Sequence, residues 1–285
     1  MKLLADSGAT GTDWALLGKN KKVISLFRTK GMNVNYLSEQ DIEEIITKDI
    51  LPHLSNIDCS QISSIHFYGS GCSTATKQSM VKKKLQLISP NAAIFPDHDM
   101  LGAAISISGK DMGMVGILGT GSNTCFYDGK IVKKNILSLG YLLGDEGSGT
   151  YMGMQLLRQY LKGLFPKDLE TIFKDKFHKE KSEIVAEMYA APKAGAYFAS
   201  YSYFIVENKN HLYIQNLIKD AFRTYFKEQV LHFEEAKQFP IGFVGSIAYL
   251  LENELISVAS EFNMTIGNII KNPIEGLISY YQKYE

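Results

Sequence analysis

One pattern occurs twice in this chain and limits what it can fold into more than any other feature: an apolar strand, a turn dense in glycine and small hydroxyl residues, a second strand, then a third. In the first copy strands are predicted at 2–5, 13–17 and 23–28, with Asp6-Ser7-Gly8-Ala9-Thr10-Gly11-Thr12 as the turn. In the second, strands at 114–118, 123–127 and 130–136 enclose the turn Gly119-Thr120-Gly121-Ser122 and a tight Asp128-Gly129 turn. Few residues coincide between the copies, so the repeat is one of structure. Its offset of about 110 residues is close to a domain length and argues for duplication of a lobe rather than a solenoid. A chain of 285 residues is long enough for two such lobes.

Between the copies lie a polar periodic segment predicted helical over 38–54, a β-rich run over 64–69, a lysine-rich helix over 74–87 and a strand over 92–96. From Gly149 to about Lys237 the pattern is helical, and the charged stretch 167–181 reads as a solvated helix face. Tyr197, Phe198, Tyr201, Tyr203 and Phe204 have near-helical spacing and read as core. Residues 241–248 read as strand, tight turn and helix start, and a last helix follows Pro273.

Composition excludes several function classes. Thirty basic residues balance thirty acidic ones, so no global field favours nucleic acid or an anionic membrane. Asp6 interrupts the N-terminal apolar run too early for a signal peptide, and no apolar run approaches the roughly 18 residues of a membrane span, so a soluble cytoplasmic protein is expected. Cys59, Cys72 and Cys125 are odd in number and far apart, which predicts plain thiols rather than disulfides or a zinc site.

The two turns carry the chemistry. A phosphate chain needs backbone N–H donors at close range, which glycine permits by lacking a Cβ, together with hydroxyls that donate without adding charge. The first turn adds Asp6 at a strand end, where a carboxylate can hold hydrated magnesium. The Walker lysine motif and the dinucleotide fingerprint are both missing.

With these motifs in this order, the chain resembles the sugar kinase, heat-shock cognate and actin superfamily, and within it the N-acetylglucosamine kinase-like members grouped with the BadF/BadG ATPases. Asp6-x-Gly8-x-Thr10-x-Thr12-x-Trp14 is similar to that family's first phosphate motif, Gly119-Thr120-Gly121-Ser122 to its second and Val244-Gly245-Ser246 to its adenosine motif. The implied fold is α/β: two duplicated ribonuclease H-like (actin-like ATPase) lobes with a central nucleotide cleft. The implied division is an N-terminal lobe over 1–110, carrying the first hairpin and a catalytic Asp, and a C-terminal lobe over 111–285, carrying the second hairpin and the adenosine motif. A last helix at about 273–285 would pack back on the N-terminal lobe.

The resemblance implies an ATP- and Mg²⁺-dependent kinase that phosphorylates an amino sugar, N-acetylglucosamine at its 6-hydroxyl being the leading candidate. It assigns Gly8, Thr10, Gly11, Thr12, Gly119, Thr120, Gly121, Ser122, Gly245 and Ser246 to ATP, Asp6 to the metal, and Asn35, Asp99, Thr120, Gly140 and Asp145 to the sugar. Asn35 ends the Gly31-Met32-Asn33-Val34-Asn35 loop, and Asp145 lies in Gly144-Asp145-Glu146-Gly147-Ser148. Asp99 is the expected base, aligned on Gly102-Ala103; Asp97 is its competitor, with a helix cap as the plainer role. Glucosamine and N-acetylmuramic acid stay open as substrates, and so does a homodimer, a common state among relatives. The alternative function is a BadF/BadG-type ATPase that activates a partner enzyme, but neither Cys72 nor Cys125 has a convincing second partner for the iron-sulfur cluster such activators carry.

Overall fold

The computed structural model describes residues 1–8 and 10–285, so Ala9 of the first glycine turn lies outside the described residues. The chain divides into two compact units, one formed by Met1–Met112, Tyr127–Val132 and Asn272–Glu285, the other by Gly113–Phe126 and Lys133–Lys271.

The first unit is built on β1 (Lys2–Ser7), β2 (Gly11–Leu17), β3 (Val23–Lys30), β4 (Ser64–Gly69) and β5 (Ala93–His98), in sheet order β3-β2-β1-β4-β5. The meander is antiparallel, whereas β1–β4 and β4–β5 pair in parallel. Parallel central strands are covered on both faces, which is why Leu3, Leu4, Ala5 and every residue of β4 are buried without alternation. Trp14 lies in this core: it stacks on Phe27 and donates its indole N–H to Thr29 Oγ1 at 2.9 Å. The predicted helix over 38–54 is α1 (Glu39–Ile45), which runs on through a π turn and a 3₁₀ turn to Leu54, behind a Ser38–Asp41 capping box. Then come α2 (Ala75–Leu85) and α3 (Asp99–Ser108). The C-terminal helix (Pro273–Tyr284) packs on α3, β1 and β2 of this unit, burying Ile274, Leu277 and Tyr281. A Cβ on its Gly276 would meet Ser106 O at 2.3 Å, so the approach to α3 requires glycine.

The second unit repeats the plan. β6 (Gly113–Leu118), β7 (Ser122–Tyr127), β8 (Val132–Asn135), β9 (Ile241–Val244) and β10 (Ile266–Ile270) run in the order β10-β9-β6-β7-β8, which is the first sheet's order with each strand replaced by its counterpart. The β6–β9 and β9–β10 pairs are again parallel. Both units are therefore ribonuclease H-like lobes, and the duplication read from the glycine turns extends to all five strands. Only β10 was not foreseen. The helices are α4 (Gly140–Leu143), α5 (Gly149–Leu161), α6 (Lys167–Phe177), α7 (Lys181–Ala190), α8 (Ala194–Ser200), α9 (Ser202–Glu207), α10 (Leu212–Tyr225), α11 (Ser246–Leu250) and α12 (Glu252–Glu261). Phe198, Tyr201 and Phe204 are core as expected, but Tyr203 is 68% exposed because it points away from the α9 face that packs on α5. Among the described residues no helix is long and apolar enough to cross a membrane.

Candidate active site

In the first unit the predicted residues gather at the C-terminal ends of β1 and β4, the edge where open α/β sheets bind ligands. The β1–β2 turn is closed by a bond from Gly8 N to Gly11 O of 3.0 Å. Gly11 has no room for a side chain, since a Cβ there would lie 2.5 Å from the Arg28 guanidinium. Arg28 is held in place by both Asp13 carboxylate oxygens at 2.8 Å, so a cation stands over the hairpin, and sequence reasoning had not placed one there. Thr10 is exposed, whereas Thr12 is buried. The Thr12 hydroxyl donates to Lys30 O at 3.0 Å and accepts from Ser7 Oγ at 2.8 Å, while Met32 N donates to Ser7 Oγ at 3.0 Å. What Thr12 does here is moor the chain after β3 to the hairpin.

That mooring sets the asparagine loop. Asn33 Oδ1 accepts from Asn35 N at 3.0 Å, and Asn35 is exposed. The loop rests on Gly71, which has φ +80 and where a Cβ would come within 2.9 Å of Asn35 Cγ. The neighbouring Ser70 was also missed. Its N–H donates to Ser7 O at 2.9 Å and its hydroxyl to Asp99 Oδ2 at 2.5 Å, tying β1 to the start of α3. Its signal was present in the repeat: Gly69-Ser70 ends β4 as Gly245-Ser246 ends β9.

Asp99 is the first residue of α3 and its Oδ1 also accepts from Met100 N at 2.9 Å. The cap of α3 is His98, whose Nδ1 accepts from Leu101 N at 3.2 Å, and not Asp97 as the sequence suggested. The reason is register. The chain turns helical directly after His98, so Asp97 lies one residue too early and its carboxylate reaches only as far as His98 N, at 2.8 Å. Asp97 instead lines a cavity of about 390 Å³ with Tyr68, Lys82 and Phe95. Asp6, half-buried in β1 opposite Asp13, has its carboxyl pushed up to about 8, first by burial and then by the charges of Asp99 and Asp13, with Arg28 opposing. A half-buried oxygen donor suits a hydrated hard ion. Among the described residues no group of three or more His, Cys, Asp or Glu is arranged to hold a metal ion.

In the second unit the predicted residues gather at the corresponding edge. Gly119 N donates to Gly121 O at 3.0 Å, and a Cβ on Gly119 would meet nothing within 4 Å, leaving that backbone open to approach. Gly149 N donates to Gly119 O, and both Thr150 N and Thr150 Oγ1 donate to Thr120 O, so the start of α5 fixes the turn from behind. Gly245, at φ +125, brings the β9–α11 turn so close that a Cβ would lie 2.3 Å from Leu118 O; Ser246 follows it, exposed. Gly140, at φ +65, starts α4 with open space where its side chain would be.

Asp145 makes a contact that the sequence did not suggest. In a left-handed conformation at φ +58, it directs Oδ1 at the amide of the second turn and accepts from Ser122 N at 3.1 Å. Burial raises its carboxyl above the usual range, with Ser122 N–H opposing and Glu146 adding to the rise. The Gly-Asp-Glu-Gly-Ser block and the second glycine turn thus form one hydrogen-bonded unit. Cys72 and Cys125 are buried, with thiols pushed up to about 12, chiefly by burial, and Cys59 is half-buried; all three are free.

No family model matches the chain, and no curated protein does. Its fold is that of several solved structures. A candidate N-acetylglucosamine kinase of Porphyromonas gingivalis is 33% identical over 100% of this chain and 99% of that one, with a TM-score of 0.95. A candidate N-acetylglucosamine kinase of Chromobacterium violaceum shares 16% identity over 98% of each chain, with a TM-score of 0.76. A ROK family glucokinase of Streptomyces griseus, solved with glucose and AMPPNP, shares the fold at 9% identity over 98% of this chain and 97% of that one, with a TM-score of 0.59. Identity of one residue in three along the whole length of the first of these, on two lobes of the same strand order, is a family relationship: the chain belongs to the N-acetylglucosamine kinase-like family of sugar kinases, within the sugar kinase, heat-shock cognate and actin superfamily.

Proposed function

We propose that this protein transfers the γ-phosphoryl group of ATP to the 6-hydroxyl of N-acetylglucosamine. The observation that carries the reading is the anchoring of Asp99, a half-buried carboxylate that opens α3 just after β5 and is fixed by Ser70 Oγ and Met100 N, with Ser70 N bonded in turn to Ser7 O of the strand that bears Asp6. Phosphoryl transfer makes one bond, from the sugar oxygen to phosphorus, and breaks one, to the oxygen that departs with ADP. The hydroxyl proton must leave as this happens, and the Asp99 carboxylate would accept it. Fixing the carboxylate in advance removes the cost of orienting it during the reaction.

The first unit would line the phosphates with the turn Gly8, Thr10, Gly11 and Thr12, held closed by the Gly8 N–H on Gly11 O, with Arg28 as an additional cation. The second would line the phosphates with the turn Gly119, Thr120, Gly121 and Ser122, whose shape is held by the Gly119 N–H on Gly121 O and the Ser122 N–H on Asp145, with Gly245 and Ser246 toward adenosine. Asn35, Thr120, Gly140 and Asp145 would receive the sugar. Magnesium, when bound, neutralises phosphate charge, and Asp6 is the residue that would hold it.

A coupled assay over a panel of hexoses and amino sugars, with analysis of the phosphorylated product, tests the proposal. Sugar-stimulated ADP release that yields N-acetylglucosamine 6-phosphate is expected; bound ATP without turnover on any sugar would sink the kinase reading. Asp99→Asn should keep both ligands' Kd and lower kcat by roughly 10²- to 10⁴-fold.

A further inference from the structure

One of the buried polar side chains without a role in this scheme is an amide. Gln229 lies on the π-helical turn Phe226–Val230 that extends α10, and such turns recur at functional sites. The wider turn directs Phe226, Gln229 and Val230 inward together, which places an amide where a regular amphipathic helix would place an apolar residue.

Each polar atom of that amide is engaged. One Nε2 hydrogen goes to Ser122 Oγ at 2.8 Å and the other to Glu146 Oε2 at 2.8 Å. Oε1 accepts from Thr124 Oγ1 at 3.4 Å, and Thr124 is bonded in turn to the buried Tyr225 hydroxyl at 2.6 Å. The reversed amide would set Oε1 against the Glu146 carboxylate, so the observed orientation is enforced by charge. Ser122 is consequently held at two points: its hydroxyl by Gln229 and its N–H by Asp145. Glu146, next to Asp145, is held by the same amide.

We infer that Gln229 is a positioning residue that locks the second glycine turn and the Asp145-Glu146 pair into one geometry. The inference rests on the kinase reading for its consequence, that the groups expected to meet phosphate and sugar are aligned by one side chain. A buried, fully satisfied amide is costly to leave half-bonded, so removing it should release both segments together.

The test compares Gln229→Leu, which deletes the bonds at similar volume, with the double variant Gln229→Glu/Glu146→Gln, which reverses donor and acceptor. In hydrogen exchange, Gln229→Leu is expected to speed exchange at least tenfold in peptides covering 118–127 and 144–150, with peptides of α12 unchanged. In kinetics it should lower kcat at least tenfold with smaller changes in either KM, because each substrate keeps its other contacts. The double variant should return both readouts to within about threefold of wild type. Exchange that rises equally in α12, or kcat within twofold of wild type in Gln229→Leu, would overturn the role. If the wild type itself shows no sugar-stimulated turnover, the kinase reading fails, and the exchange arm still decides whether Gln229 locks the two segments.

Discussion

Asp6 couples the chemistry of the site to the stability of the fold. Its carboxyl is raised to about 8 by burial and by Asp99 and Asp13, while in the unfolded chain it ionises near the ordinary value of about 4. Between these values the folded state holds a proton that the unfolded state has released. This contribution to stability is therefore complete below about pH 4 and is lost as pH rises through about 8. Thermal melts of the ligand-free protein from pH 5 to 9 should show Tm of wild type falling relative to Asp6→Asn as pH rises; a difference that stays constant across the range would refute the shift. A second residue-scale point concerns Thr12 and Ser122. Both belong to phosphate motifs by sequence, yet both side chains are buried and bonded within the protein, Thr12 to Ser7 and Lys30 O, Ser122 to Gln229. A hydroxyl in a glycine turn can be there to hold the turn's backbone in place.

Among the elements, α3 shows how a helix start presents a reactive group. His98 accepts from Leu101 N and so fixes the first turn, and Asp99, the next residue, inherits its direction from that cap. His98→Ala should cost about 1 kcal/mol in urea unfolding and also lower kcat, since the turn bearing Asp99 loosens. His98→Asn, which can still accept from the helix amide, should retain most of both. Equal stability of the alanine and wild-type proteins would show that the bond does not cap the helix. The missing strand belongs to this scale too. Ile266-Gly267-Asn268-Ile269-Ile270 carries a glycine and an asparagine, is only half-buried, and shifts register against β9 between Ile266 and Ile269, so neither alternation nor a continuous apolar run announced it. Its pairing partner, not its own composition, makes it a strand.

At the scale of the whole molecule, the C-terminal helix joins the first unit, 160 residues after that unit's main chain segment has ended. Ile274, Leu277 and Tyr281 are buried, Tyr281 shares a 2.8 Å hydrogen bond with Tyr68, and its ring packs on His66 at 4.6 Å. Three large side chains at about 1.5–3 kcal/mol each are comparable to the ~5–15 kcal/mol that holds a domain together. Deletion of 272–285 should therefore abolish hydrogen-exchange protection in β1 and β4 while β6 and β9 keep theirs. Undiminished protection of β1 in the truncated protein would show that the helix is dispensable.

The chain's local chemistry was enough to reveal the duplication, the two glycine turns and the α/β class, because glycine density, strand-length apolar runs and turn residues are properties of neighbours in sequence. It also put a helix start near Asp99, where α3 begins. Tertiary structure alone decided that His98 caps α3, that Ser70 and Arg28 stand at the first turn, that Asp145 accepts from Ser122 N, and that Gln229 joins the two segments of the second unit. Each of these is a contact across the fold, between residues whose types are common and whose separation in the chain carries no period. Directional hydrogen bonds form wherever packing brings a donor to an acceptor, and packing is a property of the folded whole.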